Sequence, residues 1–146
     1  MPKKLRWRPI FRHMRRSSKN PESLARGVGL GLFIGFLPVV GFQVILALLM
    51  ASLFNANRLV TILGTLVTNP FTAIPVGALS LWLGERILPG TNLAEISMGN
   101  FDVSKILESS GTLGVTYLVG CLSLSIFFGF LGYGVFKVYF LYKESK

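Results

Sequence analysis

Two long apolar stretches, each interrupted near its middle by proline, limit what this chain can fold into. No Asp, Glu, Lys or Arg occurs in residues 27–57 or in residues 59–84. Each stretch exceeds the roughly 20 helical residues that cross a hydrocarbon core of about 30 Å. Irregular backbone at that depth is tolerated only where protein covers it or where it lines a wet cavity. The sequence therefore predicts a small membrane protein whose two interruptions face each other and form its site.

The first interruption lies at Pro38 and Gly41. Proline removes a backbone donor and clashes with the preceding turn, and glycine permits backbone conformations that other residues resist. The two halves are each too short to span a bilayer, which favours a re-entrant hairpin over one transmembrane helix with a proline kink. Gln43, just past the break, either contacts a ligand or satisfies loose backbone groups. Gly31 and Gly35, four residues apart, predict close packing against another helix.

The second interruption contains Pro70 and Pro75, which cannot both lie inside one regular helix without cost. A further half-helix is expected from Val76. Neutral hydrogen-bonding side chains surround the break, and we expect them to bind a substrate: Thr65, Thr68, Asn69 and Thr72. Paired Pro/Gly interruptions in corresponding apolar segments are typical of transporter binding sites.

The distribution of charge indicates a membrane orientation. The net charge is +9, only 14% of residues are charged, and nine of the 15 Lys and Arg residues precede Gly27. A basic end beside membrane spans marks the cytoplasmic side, facing anionic lipids. A nucleic-acid-binding arm is the less favoured interpretation, so we expect no nucleic-acid partner. Arg26 and Arg58 are expected at the cytoplasmic rim, where they would gather an anionic substrate.

Four segments follow along the chain. Residues 1–20 form a basic segment that is either an amphipathic interfacial helix or a flexible tail. Residues 21–90 form the membrane core with two broken helices. Residues 91–110 form an extramembrane loop with one short helix that begins at Asp102 or Ser104. Residues 111–146 form a transmembrane helix and basic tail, with Gly114, Gly120 and Gly129 at helix contacts. The predicted fold is an all-α integral membrane protein of the bacterial inner (cytoplasmic) membrane, with both termini cytoplasmic.

The core resembles a widespread family of small bacterial integral membrane proteins catalogued only as a domain of unknown function. The resemblance covers about residues 21–89 and continues loosely into the C-terminal helix. The residues that carry it are Ser23, Ala25, Gly31, Phe33, Ile34, Gly35, Pro38, Gly41, Gln43, Ala51, Asn57, Gly64, Thr65, Asn69, Pro70, Thr72, Leu83 and Gly84. The chain departs from the pattern at residues 20–22, Asn-Pro-Glu, where the family commonly has a Ser-Pro pair. The resemblance implies an inner-membrane protein and supplies no activity.

The residues are compatible with two functions. The first is binding and translocation of a phosphate-bearing lipid or small anion at the half-helix N-termini, with anionic membrane lipids as partners. The second is a non-catalytic adaptor or scaffold for an envelope-biosynthesis enzyme, with the polar groups serving helix packing. We expect no catalytic residue, cofactor or metal, because the membrane core lacks a nucleophile paired with a base. A chain of this size is expected to form homo-oligomers.

Overall fold

A computed structural model describes residues 20–39, 41–89 and 103–144, with side chains of the last helix from 111 to 143. The described part is all-helical and contains no strand, as the sequence predicted. Its helices are α1 (Pro21–Phe36), α2 (Gln43–Leu53), α3 (Arg58–Thr65), α4 (Ala73–Ile87) and α5 (Val103–Glu144). The amphipathic helix predicted for the N-terminal segment lies outside the described residues, apart from residue 20.

Asparagine side chains begin two of the helices. The Asn20 side-chain oxygen accepts a hydrogen bond from the Glu22 amide at 3.1 Å, and Pro21 occupies the first turn of α1. The Asn57 side chain likewise accepts from the Val60 amide at 3.1 Å at the start of α3. These oxygens satisfy amides that have no partner within their own helices. Both helices therefore begin at residues that the local sequence specifies.

The first apolar run forms a helical hairpin. α2 returns to the starting end of α1, where the Arg26 guanidinium donates to the Phe54 carbonyl at 3.3 Å. The Asn57 amide donates to the Ser23 carbonyl at 3.0 Å, which also brings the start of α3 beside the first turn of α1. α1 and α2 are thus antiparallel, and the run is not one helix with a proline kink.

α3 lies parallel to α1 and close to it. A methyl group in place of the Gly31 hydrogen would lie 2.7 Å from the Gly64 Cα and 2.6 Å from the Thr61 carbonyl oxygen. A methyl group on Gly35 would meet the Gly64 carbonyl oxygen at 3.2 Å. Gly31 and Gly35 therefore lie at a helix contact, as their spacing predicted, because only the missing side chain allows two backbones this near.

The long helix α5 joins the other helices into one body. α1 packs antiparallel against its C-terminal half, with Phe36 stacked on Phe128 at a ring-centroid distance of 4.7 Å. α4 packs antiparallel against its N-terminal half, where Gly120 meets the backbone of Ser80. α1 and α4 consequently point in the same direction along successive halves of α5.

The distribution of side chains between interior and surface is the reverse of that in a water-soluble core. Buried positions are mostly small or hydroxyl-bearing residues, such as Ala25, Ala47, Ala51, Thr61, Thr65, Ser80, Thr116 and Ser125. Large apolar side chains point outward instead, and Phe71 is 91%, Ile74 80% and Phe130 74% exposed. Soluble proteins bury such residues preferentially. The helices are held by close backbone packing rather than by a core of large aliphatic side chains.

Two boundaries differ from the predicted ones. α4 begins at Ala73 rather than Val76, because Pro75 lies within the first turn, where a missing amide breaks no helical bond. α5 begins at Val103, where the sequence predicts a short helix, but residues 103–110 continue without a break into the apolar helix instead of ending inside a loop. By length and composition, Gly111–Lys143 could cross a membrane, and its most apolar 18 residues have a mean hydropathy of 1.9. On this helix Gly120 and Gly129 lie at contacts as predicted, whereas Gly114 faces open space.

Replacing Gly31 by alanine should lower stability by about 2 kcal/mol, because the added methyl group overpacks the backbone contact with α3. Gly114→Ala is the matched control, since nothing lies within 4 Å of its added methyl group. It should raise stability by up to about 1 kcal/mol through helix propensity. Thermal unfolding of the purified variants, followed by circular dichroism, measures both. Equal shifts in the two variants would contradict the packing seen here.

Candidate functional site

The first break turns the chain between α1 and α2. Leu37 has extended backbone, as the residue before a proline prefers, and its amide bonds to the Ile34 carbonyl at 3.1 Å. Pro38 then supplies no donor to continue the helix. Gly41 has φ of +89°, a conformation that residues with a side chain adopt only with strain. Pro38 and Gly41 therefore produce the break at the predicted place.

The second break, between α3 and α4, is closed by its own side chains. The Asn69 side-chain oxygen accepts from the Phe71 amide at 2.9 Å and the Thr72 amide at 3.1 Å. The Thr72 hydroxyl accepts from the Asn69 amide at 2.9 Å and donates to the Val67 carbonyl at 2.6 Å. Pro70 lies in the turn that these bonds form. Asn69 and Thr72 thus cap the segment leading into α4 and leave few free donors there.

The two breaks meet. The Thr68 hydroxyl of the second break donates to the carbonyl of Gly35, in the last turn of α1. The last carbonyls of a helix have no partner within the helix, and the Gly35 carbonyl is one of them. Phe36, one residue further, stacks on Phe128. Phe128 lies next to Phe127, the midpoint of the apolar helix Gly111–Lys143. Both interruptions therefore lie beside the middle of that helix.

The predicted binding residues lie in three places: the second break, the start of α2, and the end of α1 and α3 that is opposite the breaks. Thr65, Thr68, Asn69 and Thr72 lie together in or beside the second break, and Thr65 donates to the Ile62 carbonyl at 2.7 Å. Gln43 is the first residue of α2, and its side-chain nitrogen is buried without a hydrogen-bond partner.

Arg26 and Arg58, the predicted rim cations, lie at the opposite end of α1 and α3 from the breaks. Arg58 is seven residues before Thr65, which is about 10 Å along a helix. The structure therefore does not bring either cation to the breaks. Within the described residues, no group of His, Cys, Asp and Glu could hold a metal ion.

A charged cluster at that end was not expected from the sequence. Glu22 in the first turn of α1 accepts from the Tyr133 hydroxyl at 2.6 Å and from the Arg26 side chain at 3.3 Å. Lys137 lies 3.6 Å from the other Glu22 oxygen. The Tyr133 hydrogen bond first, and then the charges of Lys137 and Arg26, hold the pKa of Glu22 below its usual value. No local pattern signals this contact, because Glu22 and Tyr133 lie in helices far apart in sequence.

The chain belongs to a bacterial family that matches residues 5–146. That family is described as "Uncharacterized protein conserved in bacteria (DUF2062)". The match confirms the expected resemblance to a family of unknown function and extends it over nearly the whole chain. No curated protein and no solved structure matches the chain. The match shows the family and assigns no activity.

Replacing Asn69 by alanine should lower stability by about 1–2 kcal/mol, because the Phe71 and Thr72 amides lose their acceptor. Asn69→Ser retains a side-chain acceptor, one bond closer to the backbone than the Asn69 Oδ1, and should recover part of the loss. Chemical or thermal unfolding of the three proteins measures the difference. A wild-type stability for Asn69→Ala would contradict the capping role.

Proposed function

We propose that the chain is an integral membrane protein of the bacterial inner membrane. Its outward-facing Leu, Ile, Val and Phe side chains and its interior of small and hydroxyl-bearing residues support this. Only 33% of the most apolar window of α5 is buried, which is too little for the core helix of a soluble protein. Such a surface is suited to contact with lipid rather than with water.

The charged residues at the two ends of the packed helices support the same placement. Lys137 meets Glu22 at one end, and Thr116 meets Gly84, which precedes Glu85 and Arg86, at the other. From Thr116 to Lys137 α5 rises about 31 Å, close to the thickness of a hydrocarbon core. At the second end, Arg86 lies over the Trp82 ring at 5.1 Å, an arrangement suited to the membrane–water boundary.

A topology follows from this placement. The α1–α2 hairpin would enter and leave on one side as a re-entrant element, and α3 with α4 would cross in two pieces. α5 would return to the starting side. The start of α1 and the end of α5 lie together, so both would be on the side of the basic N-terminal residues. The positive-inside rule makes that side cytoplasmic.

We infer that the function is to bind and translocate an anionic group, from a phosphate-bearing lipid or a small anion, at the breaks. The buried Gln43 side-chain nitrogen, unpartnered at the start of α2, is the observation that carries this proposal. An unsatisfied buried donor is costly, and an acceptor that arrives from outside would remove that cost. The second break contributes support to the site rather than donors, because Asn69 and Thr72 bond to their own turn.

The adaptor role is favoured by a different observation. The Thr68 bond to Gly35 and the capping bonds of Asn69 are complete without a ligand, as expected if these groups serve packing. In that case the protein would position an envelope-biosynthesis enzyme through its apolar surface. Crosslinking in cells separates the two, since an adaptor would yield one stoichiometric partner and a transporter would yield copies of itself.

Transport is tested with purified protein in vesicles containing fluorescent phosphatidylglycerol, with outer-leaflet label quenched by dithionite. Wild type should move the lipid faster than protein-free vesicles do. Gln43→Ala should slow the movement about tenfold or more, the cost of one hydrogen bond to a charged group. Ser52→Ala is the control, because Ser52 is exposed and bonds only to the Leu48 carbonyl of its own helix.

The same assay with a fluorescent or radioactive small anion covers the second substrate class. Wild-type rates equal to those of empty vesicles for both substrates, or a Gln43→Ala rate equal to wild type, would rule out transport at this site.

A further inference from the structure

Three side chains converge on one carboxylate at the charged end of the helices. We call Glu22, Arg26, Tyr133 and Lys137 the rim cluster. Besides their contacts to Glu22, the Lys137 ammonium donates to the Tyr133 hydroxyl at 3.0 Å. It also lies 5.2 Å from the centroid of the Tyr133 ring. The cluster joins the first turn of α1 to the C-terminal part of α5.

The rim cluster has more cationic charge and more donors than Glu22 uses. Two cations face one carboxylate, which leaves one positive charge in excess. An arginine has five N–H donors and a lysine three. Arg26 donates to Glu22 and to the Phe54 carbonyl, and Lys137 contacts Glu22 and Tyr133. Both cationic side chains are about two-fifths exposed, at 43% and 42%, so the remaining donors are accessible.

We propose that the rim cluster binds the phosphate of an anionic membrane lipid, with Arg26 and Lys137 as its donors. The excess positive charge and the unused N–H donors suit a phosphate diester, because arginine can bind phosphate oxygens in bidentate fashion and lysine attracts them as a point charge. The Lys137 and Tyr133 pair also suits the boundary where lipid headgroups lie. The proposal rests on the membrane placement proposed above and does not depend on transport at the breaks.

Glu22 would set the affinity of this site. Its carboxylate occupies the donors that face it and repels a second anion. A lipid phosphate must therefore use the outer N–H groups or displace Glu22 from some of its contacts. Neutralising Glu22 should consequently strengthen lipid binding, whereas neutralising either cation should weaken it.

The test uses the full chain in zwitterionic detergent or phosphatidylcholine nanodiscs. Short-chain phosphatidylglycerol, phosphatidylcholine of equal chain length and inorganic phosphate are titrated separately. Bound lipids are counted by native mass spectrometry. Phosphatidylglycerol should bind tightest. Lys137→Gln should weaken it about tenfold, the effect expected for loss of one charge-assisted bond. Glu22→Gln should tighten it.

Lys143→Gln is the matched control, since Lys143 is an exposed cation of the same helix outside the rim cluster. Its binding should equal that of wild type. Equal losses in Lys137→Gln and Lys143→Gln would show diffuse attraction and overturn the site. Inorganic phosphate binding as tightly as phosphatidylglycerol would overturn the lipid assignment.

If the protein is not a membrane protein, the result is different. In that case the protein stays in solution without detergent and does not float with phosphatidylcholine vesicles. A protein that floats with these vesicles yet shows no preference for phosphatidylglycerol overturns the rim site alone. Arg26→Gln provides a second variant, and circular dichroism confirms its fold, because Arg26 also bonds to the end of α2.

Discussion

The hydrogen bond from the Thr68 hydroxyl to the Gly35 carbonyl joins the two broken helical paths at their interruptions. A helix end that is neither capped nor hydrated is destabilised by each of its unpaired backbone groups. Pro38 stops α1 and leaves carbonyls that need donors, and the second break supplies one. The Asn69 and Thr72 bonds in turn hold the second break in the shape that presents Thr68. The end of α1 therefore depends on the second break, and this bond places the two breaks at the same depth along the helices.

Close approach of small residues makes this arrangement possible. Gly31 against Gly64 brings α3 beside α1, and Gly120 against Ser80 places α4 on α5. With α1 and α4 following successive halves of α5, their facing ends fall near its midpoint. The interior so formed is narrow and contains hydroxyl groups that bond mostly to carbonyls of their own helix, as Thr61 does to Asn57. Large side chains are left for the outer surface.

The sequence predicts the helix interruptions well because Pro38, Gly41 and Pro70 act on the backbone locally. It misplaces the start of α4, because Pro75 is compatible with a first turn and incompatible with an interior turn, and only the structure tells these apart. It cannot decide the role of Asn69, since the same amide can accept from its own turn or from a ligand. The Glu22–Tyr133 contact cannot be predicted from the sequence, because no local pattern relates residues in the first and last helices.

The depth of the two breaks in the bilayer is the measurement that tests this account most directly. Phe42 and Phe71, at the ends of the breaks, are 70% and 91% exposed, so cysteine replacement and spin labelling there disturb little packing. The labels would be introduced one at a time into a Cys121→Ala chain, reconstituted in liposomes, with Lys143→Cys as the shallow reference. The account predicts that oxygen relaxes both labels strongly and that a water-soluble nickel complex does not, as at the bilayer centre. Relaxation of either label by the nickel complex to the extent found at position 143 would contradict it.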